Sequence, residues 1–305
     1  MQWPLLQKWL DRFLVPIDDP GSRLFHLNII FSIVFILLWL VISQRKRPIR
    51  SLLKDASRLI FRKKYWWNHS TRLDYKIYFI NSVLKVIFFI PFLDISFRFS
   101  KWTIQALSFF APANGAVLLA TPFTLFVFSV GAFVFDDFLR YLHHYLMHKI
   151  PLLWNLHKTH HSAKILTPIS LYRTHPLESA MATLRNSLST GVSVGIFIYT
   201  FESHFNVITL FGVNFFGFLF NLLGSNLRHS HIPISFGYME KIFISPKQHQ
   251  IHHSTDPEHF NKNFGVSLAI WDKLKGSLLY SSDVKKKLRF GLNDRRQSLG
   301  RALTY

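Results

Sequence analysis

The stretch GAVLLATPFTLFVFSVGAFVF (115–135) carries no formal charge and runs on into DDFLRYLHHYLMH (136–148), where Pro151 ends the pattern. As a helix, its apolar part is long enough to cross roughly 30 Å of hydrocarbon. The reading is one helix that leaves a membrane and carries His144 and His148 at its emergent end. Residues four apart share a helix face, so these two imidazoles aim at one point. His143, about 100° further round, faces elsewhere.

Other apolar runs extend the pattern. Leu24 to Ile42 is uncharged and of spanning length, Ile77 to Leu93 is shorter and holds Asn81 and Lys85, and Leu188 to Gly224 is almost continuously apolar. The last is read as two short segments joined by a turn, or as a re-entrant hairpin. The first run starts late and is followed by basic residues, which argues against a cleaved signal. The expected fold class is all-α: an integral-membrane helical bundle with a cytoplasmic helical cap carrying a histidine-rich di-metal site. Expected divisions are an N-terminal membrane region with a basic loop over 1–112, a catalytic domain over 113–280 and a basic tail over 281–305.

The formal net charge is +20. Much of it lies just beyond the first run, where Arg45, Lys46, Arg47, Arg50, Lys54, Arg58, Arg62, Lys63 and Lys64 face only Asp55. Positive loops beside a span stay cytoplasmic and attract anionic lipid. Topology therefore accounts for the charge, and a nucleic-acid partner is not expected. Counting spans from that loop puts every histidine cluster and the C-terminal tail on the cytoplasmic face. The setting is a bacterial inner membrane or the endoplasmic reticulum.

Fourteen of the 16 histidines fall between His143 and His259. His157, His160 and His161 read His-x-x-His-His, as do His249, His252 and His253, and His229 and His231 form a shorter pair. Neutral imidazoles bind iron, zinc or copper, and this many converging nitrogens point to two metal ions. There is no cysteine, which excludes disulfides, thiolate ligands and iron–sulfur clusters. His26, His69, His204 and His259 stand apart and are read as ordinary surface or core residues. Asp137 and Arg140 stand open between orienting imidazoles and forming an i, i+3 surface pair. His175 stands open between a site role with Glu178 as its partner and a helix start using Pro176.

Taken in order, Asp137-Phe-x-Arg-Tyr-x-x-His144-x-x-x-His148, Leu-Trp-x-x-His-x-x-His-His-Ser, Arg-x-His-Pro-x-Glu and His-x-x-His-His followed by Asn-x-Asn-Phe-Gly and Ile-Trp-Asp resemble the fatty acid hydroxylase/sterol desaturase superfamily. The resemblance covers roughly Gly115 to Leu279. It implies a membrane-bound, non-haem di-iron oxidoreductase that uses O₂ to hydroxylate or desaturate a lipid, which could be a sterol, fatty acyl, ether or amino lipid. It also implies an external electron donor: a ferredoxin, a cytochrome b5-like protein or another reductase. By motif, the ligand role falls to His144, His148, His157, His160, His161, His229, His249, His252 and His253, with a tenth left open between His231 and His175. Zinc could replace iron on isolation. The chain departs from the pattern at Leu142 and Tyr145, where Trp and Arg are usual, and at Lys-Leu-Lys-Gly-Ser after Trp271-Asp272.

Two other classes fit less well. A metal transporter would place ligands at mid-membrane within the spans, where this sequence has few. A zinc lipid hydrolase would carry a carboxylate base among the histidines, as in His-Glu-x-x-His, and neither triplet has one.

Overall fold

The structure, a computed structural model, describes residues 25–89, 93–110, 121–201, 215–217, 219–220, 225–292 and 298–303. His204 lies outside them. The longer helices are α1 (His26–Ser43), α2 (Ile49–Phe61), α3 (His69–Phe89), α4 (Leu93–Phe110), α5 (Pro122–Lys149), α6 (Pro151–His161) and α7 (Pro176–Phe201). Two short helices follow, α8 (Pro246–His252) and α9 (Ile270–Lys275). Among the described residues there is no strand, only two isolated bridges, Phe243 with Leu268 and Ser254 with Phe290.

Proline opens each of the helices α5, α6, α7 and α8. Its ring presets the helical φ at a position whose N–H has no intrahelical partner to lose. Pro122 therefore begins a helix: α5 starts there behind its N-cap Thr121, and residues 115–120 of the expected span lie outside the description. At α8 the Ser245 hydroxyl accepts from Gln248 N while the Gln248 side chain returns to Ser245 N. This reciprocal cap holds a helix that is otherwise too short to persist alone.

Among the described residues, α1 and α5 are long and apolar enough to cross a membrane. Neither is a soluble core helix. Leu38 is 53% exposed, Ile42 62%, Phe123 74% and Phe126 56%, so their apolar chains face outward. Such a surface suits lipid, since the helix satisfies its own backbone polar groups. The expected span Ile77 to Leu93 lies largely inside α3 and runs into residues 90–92, beyond the described part. The start of α3 is docked on the cap: Asp74 pairs with Arg173 at 2.9 Å, both fully buried, and Asn81 Nδ2 donates to Thr174 O at 2.9 Å. α4 packs along α7, where a Cβ on Gly195 would come within 2.7 Å of Ser100 O and Thr103 Cβ. Residues 188–201 of the expected Leu188 to Gly224 run belong to this packed helix, and 202–214 lie outside the described residues.

Candidate metal centre

Three helices end at one place. His148 lies in the last turn of α5, His160 and His161 in that of α6, and His249 and His252 in that of α8. Helix C-termini carry partial negative charge, so the convergence favours a cation before any side chain is counted. The Arg173 guanidinium caps α6 from outside the turn. Its Nε donates to Thr159 O at 3.2 Å and to Ser162 Oγ at 3.0 Å.

The nine histidines of the motifs fall into two groups. His144, His148, His157, His161 and His252 form one; His160, His229, His249 and His253 form the other. Within each group the donor atoms lie within 4.8 Å of one another. Both triplets divide between the groups, because i, i+4 neighbours share a face and the third histidine looks away. His157 and His161 enter the first group while His160 enters the second; His252 enters the first while His249 and His253 enter the second.

The ring nitrogens are set by their outer partners. Glu178 Oε1 lies 2.7 Å from His157 Nδ1, Phe264 O lies 2.7 Å from His144 Nδ1, and Lys262 O lies 2.7 Å from His252 Nδ1. Each acceptor holds the proton on Nδ1 and leaves the Nε2 lone pair for the interior. Nε2 of His148, His157, His161 and His252 is buried and has no hydrogen-bond partner, and the same holds for Nδ1 of His160, His249 and His253. In the second group His249 Nε2 lies 2.7 Å from His229 Nε2 and 3.2 Å from His253 Nε2. An unsatisfied buried polar group costs about 1–3 kcal/mol, so the orphaned Nε2 atoms of the first group and the crowded Nε2 atoms of the second are tolerable only if something shared binds each set. A pair of metal ions fits that need.

Burial, with repulsion among neighbouring imidazoles, pushes His160 and His252 down to about 3. Burial also holds His161, His249 and His253 well below the usual imidazole range. These five imidazoles are therefore neutral near pH 7, with their lone pairs available.

The remaining expected residues sit elsewhere. His231 stacks on Tyr65 at 3.6 Å between centroids and its Nε2 meets Leu59 O at 2.7 Å. His175 accepts from Leu177 N at 3.2 Å through Nδ1 and meets Leu303 O at 3.2 Å through Nε2, as a helix-start residue does. Neither belongs to the two groups. Glu178 partners His157 rather than His175. Arg140 pairs with Asp136, one turn back, rather than with Asp137. Asp137 accepts from Ser267 N at 2.8 Å, Leu268 N at 3.0 Å and Trp271 Nε1 at 3.0 Å. It ties α5 to the segment after the last triplet and touches no imidazole of the two groups. His259 is buried in the 3₁₀ turn Pro257–His259, outside both groups, and His26 and His69 are exposed.

The sequence motif Asn-x-Asn-Phe-Gly, 261–265, acts through its backbone. Asn261 and Asn263 adopt φ of 58° and 56°, a region Asn tolerates better than most residues. The bend presents the Lys262 and Phe264 carbonyls to two histidines. Asp272 braces it by accepting from Phe264 N at 2.9 Å and Gly265 N at 2.6 Å. A Cβ on Gly265 would lie 2.7 Å from Leu268 O and 2.9 Å from Asp272 Oδ2. Gly265→Ala is therefore expected to cost about 1–3 kcal/mol of stability through overpacking and to loosen His144. Thermal unfolding together with metal retention after dialysis measures both effects.

An apolar-walled cavity of about 330 Å³ reaches His148, His161, His252 and His253 past Trp154 and Phe260.

The fold and site define a helical chain with two candidate membrane spans and two all-imidazole groups that could each hold a metal ion. Residues 129–277 match the family model described as fatty acid hydroxylase, and this segment belongs to that family. The chain is 30% identical to the alkylglycerol monooxygenase of Danio rerio over 161 residues, 53% of this chain and 32% of that protein. It is 30% identical to the human alkylglycerol monooxygenase over 150 residues, 48% of this chain and 29% of that protein. It is 27% identical to the ornithine lipid hydroxylase OlsE of Rhizobium tropici over 147 residues, 47% and 39% of the two chains. The similarity thus spans well under half the length of these relatives. No solved structure matches.

Proposed function

We propose that this chain is a membrane-bound, non-haem di-iron oxygenase that hydroxylates a lipid, with residues 113–280 as its catalytic unit and the nine histidines of the two groups as its ligands. The observation that carries the reading is the resolution of nine imidazoles, most of them buried, into groups of five and four with no carboxylate among them. A purely nitrogen donor set suits iron, and equally admits zinc on isolation. When bound, such a pair of ions supplies O₂ reduction and attack on an unactivated C–H bond, chemistry no side chain provides.

The chain supplies orientation and neutral donors. Glu178 and the carbonyls of Lys262 and Phe264 fix three imidazoles in one tautomer, so donor directions are set before metal arrives. Burial keeps His160, His161, His249, His252 and His253 neutral. Hydroxylation is favoured over desaturation because the relatives are named for monooxygenation and hydroxylation, and their substrates make ether glycerolipids and amino-acid lipids the first classes to test. The zinc-hydrolase reading lacks its carboxylate base: Glu178 meets the Nδ1 edge of His157, outside the donor cluster. Electrons come from a separate reductase of the ferredoxin or cytochrome b5-like kind.

Comparative lipid mass spectrometry of cells with and without the gene tests the activity. Products heavier by one oxygen are expected to vanish with the gene; loss of species lighter by two hydrogens would mean desaturation instead. We place the histidine cluster on the cytoplasmic face of a multi-pass protein, on the strength of the basic segment Arg45 to Lys64 after α1. A reporter fused at the C-terminus should be active in the cytoplasm, and activity only on the far side overturns the orientation.

A further inference from the structure

The turn Gly237–Lys241 and helix α9 form one surface. Ala269 N donates to Ile242 O at 2.7 Å and Phe243 bridges to Leu268, so the segments run side by side. Their outward chains are large and apolar: Tyr238 is 88% exposed, Met239 49%, Ile242 52%, Ile270 45% and Leu274 72%. A cap standing in water has no reason to present such a patch. Three ring contacts tie its supporting residues to apolar segments. Phe236 meets Phe35, midway along α1, at 6.2 Å; Trp271 meets Phe138 of α5 at 5.1 Å; and Phe243 meets Phe220, from the Leu188 to Gly224 run, at 6.5 Å. The patch therefore sits against α1, α5 and the Leu188 to Gly224 run.

Beside it opens a cavity of about 470 Å³ lined by Ser235, Tyr238, Lys241, Lys247, Tyr280 and Ser282, among others. The Glu240 carboxylate also borders it, but its oxygens already accept from Ser235, Ser245 and Ser281. Lys247 Nζ donates to Ser281 O at 2.9 Å, and Lys241 Nζ lies 5.5 Å from the Tyr238 ring centre. Two ammonium groups and several hydroxyls border the cavity, the donors a phosphodiester would use, and Lys273 and Lys275 are exposed on α9.

We propose that this surface is an interfacial anchor: Met239, Ile242, Ile270 and Leu274 enter the monolayer, Tyr238 lies at headgroup level, and the Lys241–Lys247 cavity takes the headgroup of an anionic phospholipid. It seats the cap against the bilayer from which a lipid substrate must come. The anchor rests on α1 and α5 spanning the membrane, not on the oxygenase reading, and its test needs no turnover.

The chain has no cysteine, so single labels are unambiguous. The full-length protein carrying Leu274→Cys or Met239→Cys, tagged with an environment-sensitive fluorophore, is reconstituted in phosphatidylcholine–phosphatidylglycerol vesicles. Both labels are expected to be quenched by lipid-borne nitroxide and shielded from iodide, whereas a label at the exposed Lys286 (Lys286→Cys) shows the reverse. Iodide quenching of 239 and 274 equal to that of 286 would overturn the anchor and leave the patch facing water or a protein partner. For the cavity, phosphatidylglycerol carried through purification is counted by mass spectrometry. Lys241→Gln with Lys247→Gln should lose it, and Lys241→Gln alone, which breaks no backbone hydrogen bond, should lose part. Retention unchanged in both variants would overturn the headgroup site.

Discussion

His161→Ala is expected to reduce turnover to background and to lower bound metal from about two equivalents to about one, while the protein still inserts in the membrane. The imidazole is one of five in its group and stacks at 4.3 Å on His253 of the other, so it borders both candidate ions. Its loss would open one position in a donor set built for five and loosen the hold on that group's ion. The comparison is His231→Ala, which removes a ring held on Tyr65 and Leu59 and should leave metal content unchanged. Elemental analysis and a lipid turnover assay on both variants decide the matter. The same loss is expected at His157, His160, His249, His252 and His253. A His161→Ala protein with two metals and full activity would show that the ligand set is drawn wrongly.

Glu178→Ala should weaken metal affinity or activity roughly 10- to 100-fold without removing a ligand, the usual effect of losing the partner behind a ligating histidine. The carboxylate is buried and lies 2.7 Å from His157 Nδ1, so its loss frees the ring to rotate and to carry its proton on either nitrogen. Glu178→Gln keeps an acceptor oxygen in place and should retain more affinity than alanine. Competition with a chelator separates the two variants. Equal behaviour of alanine and glutamine would mean that Glu178 merely fills space.

The His144/His148 pair and the two triplets stood out because side-chain spacing on a helix maps onto a face, and the family resemblance implied the full set of nine. The partners behind them stood out in neither way. Glu178 is 21 residues from His157, and only the packing of α6 on α7 brings them together. The acceptors for His144 and His252 are backbone carbonyls, which leave no residue signature; only the Asn261 to Gly265 motif hinted at an unusual bend. Asp137 and Arg140 looked like neighbours of the site because they precede it in sequence. A one-residue change of helix face sends Asp137 to the Ser267–Trp271 segment and gives Arg140 to Asp136. Apolar length found α1 and most of α5, but it could not foresee that α3 would bury Asp74 under Arg173. That pair is specified by two residues 99 positions apart.

His160 and His161, like His252 and His253, are joined by one peptide unit yet serve opposite groups. Neighbouring Cα atoms are 3.8 Å apart in every folded state of the chain. The protein thus carries two copies of a covalent ruler between its candidate ions, one from each side. Thermal breathing of the helices can tilt the rulers but cannot stretch them. A residue inserted between either pair should decouple the two sites while leaving each with nearly all its donors.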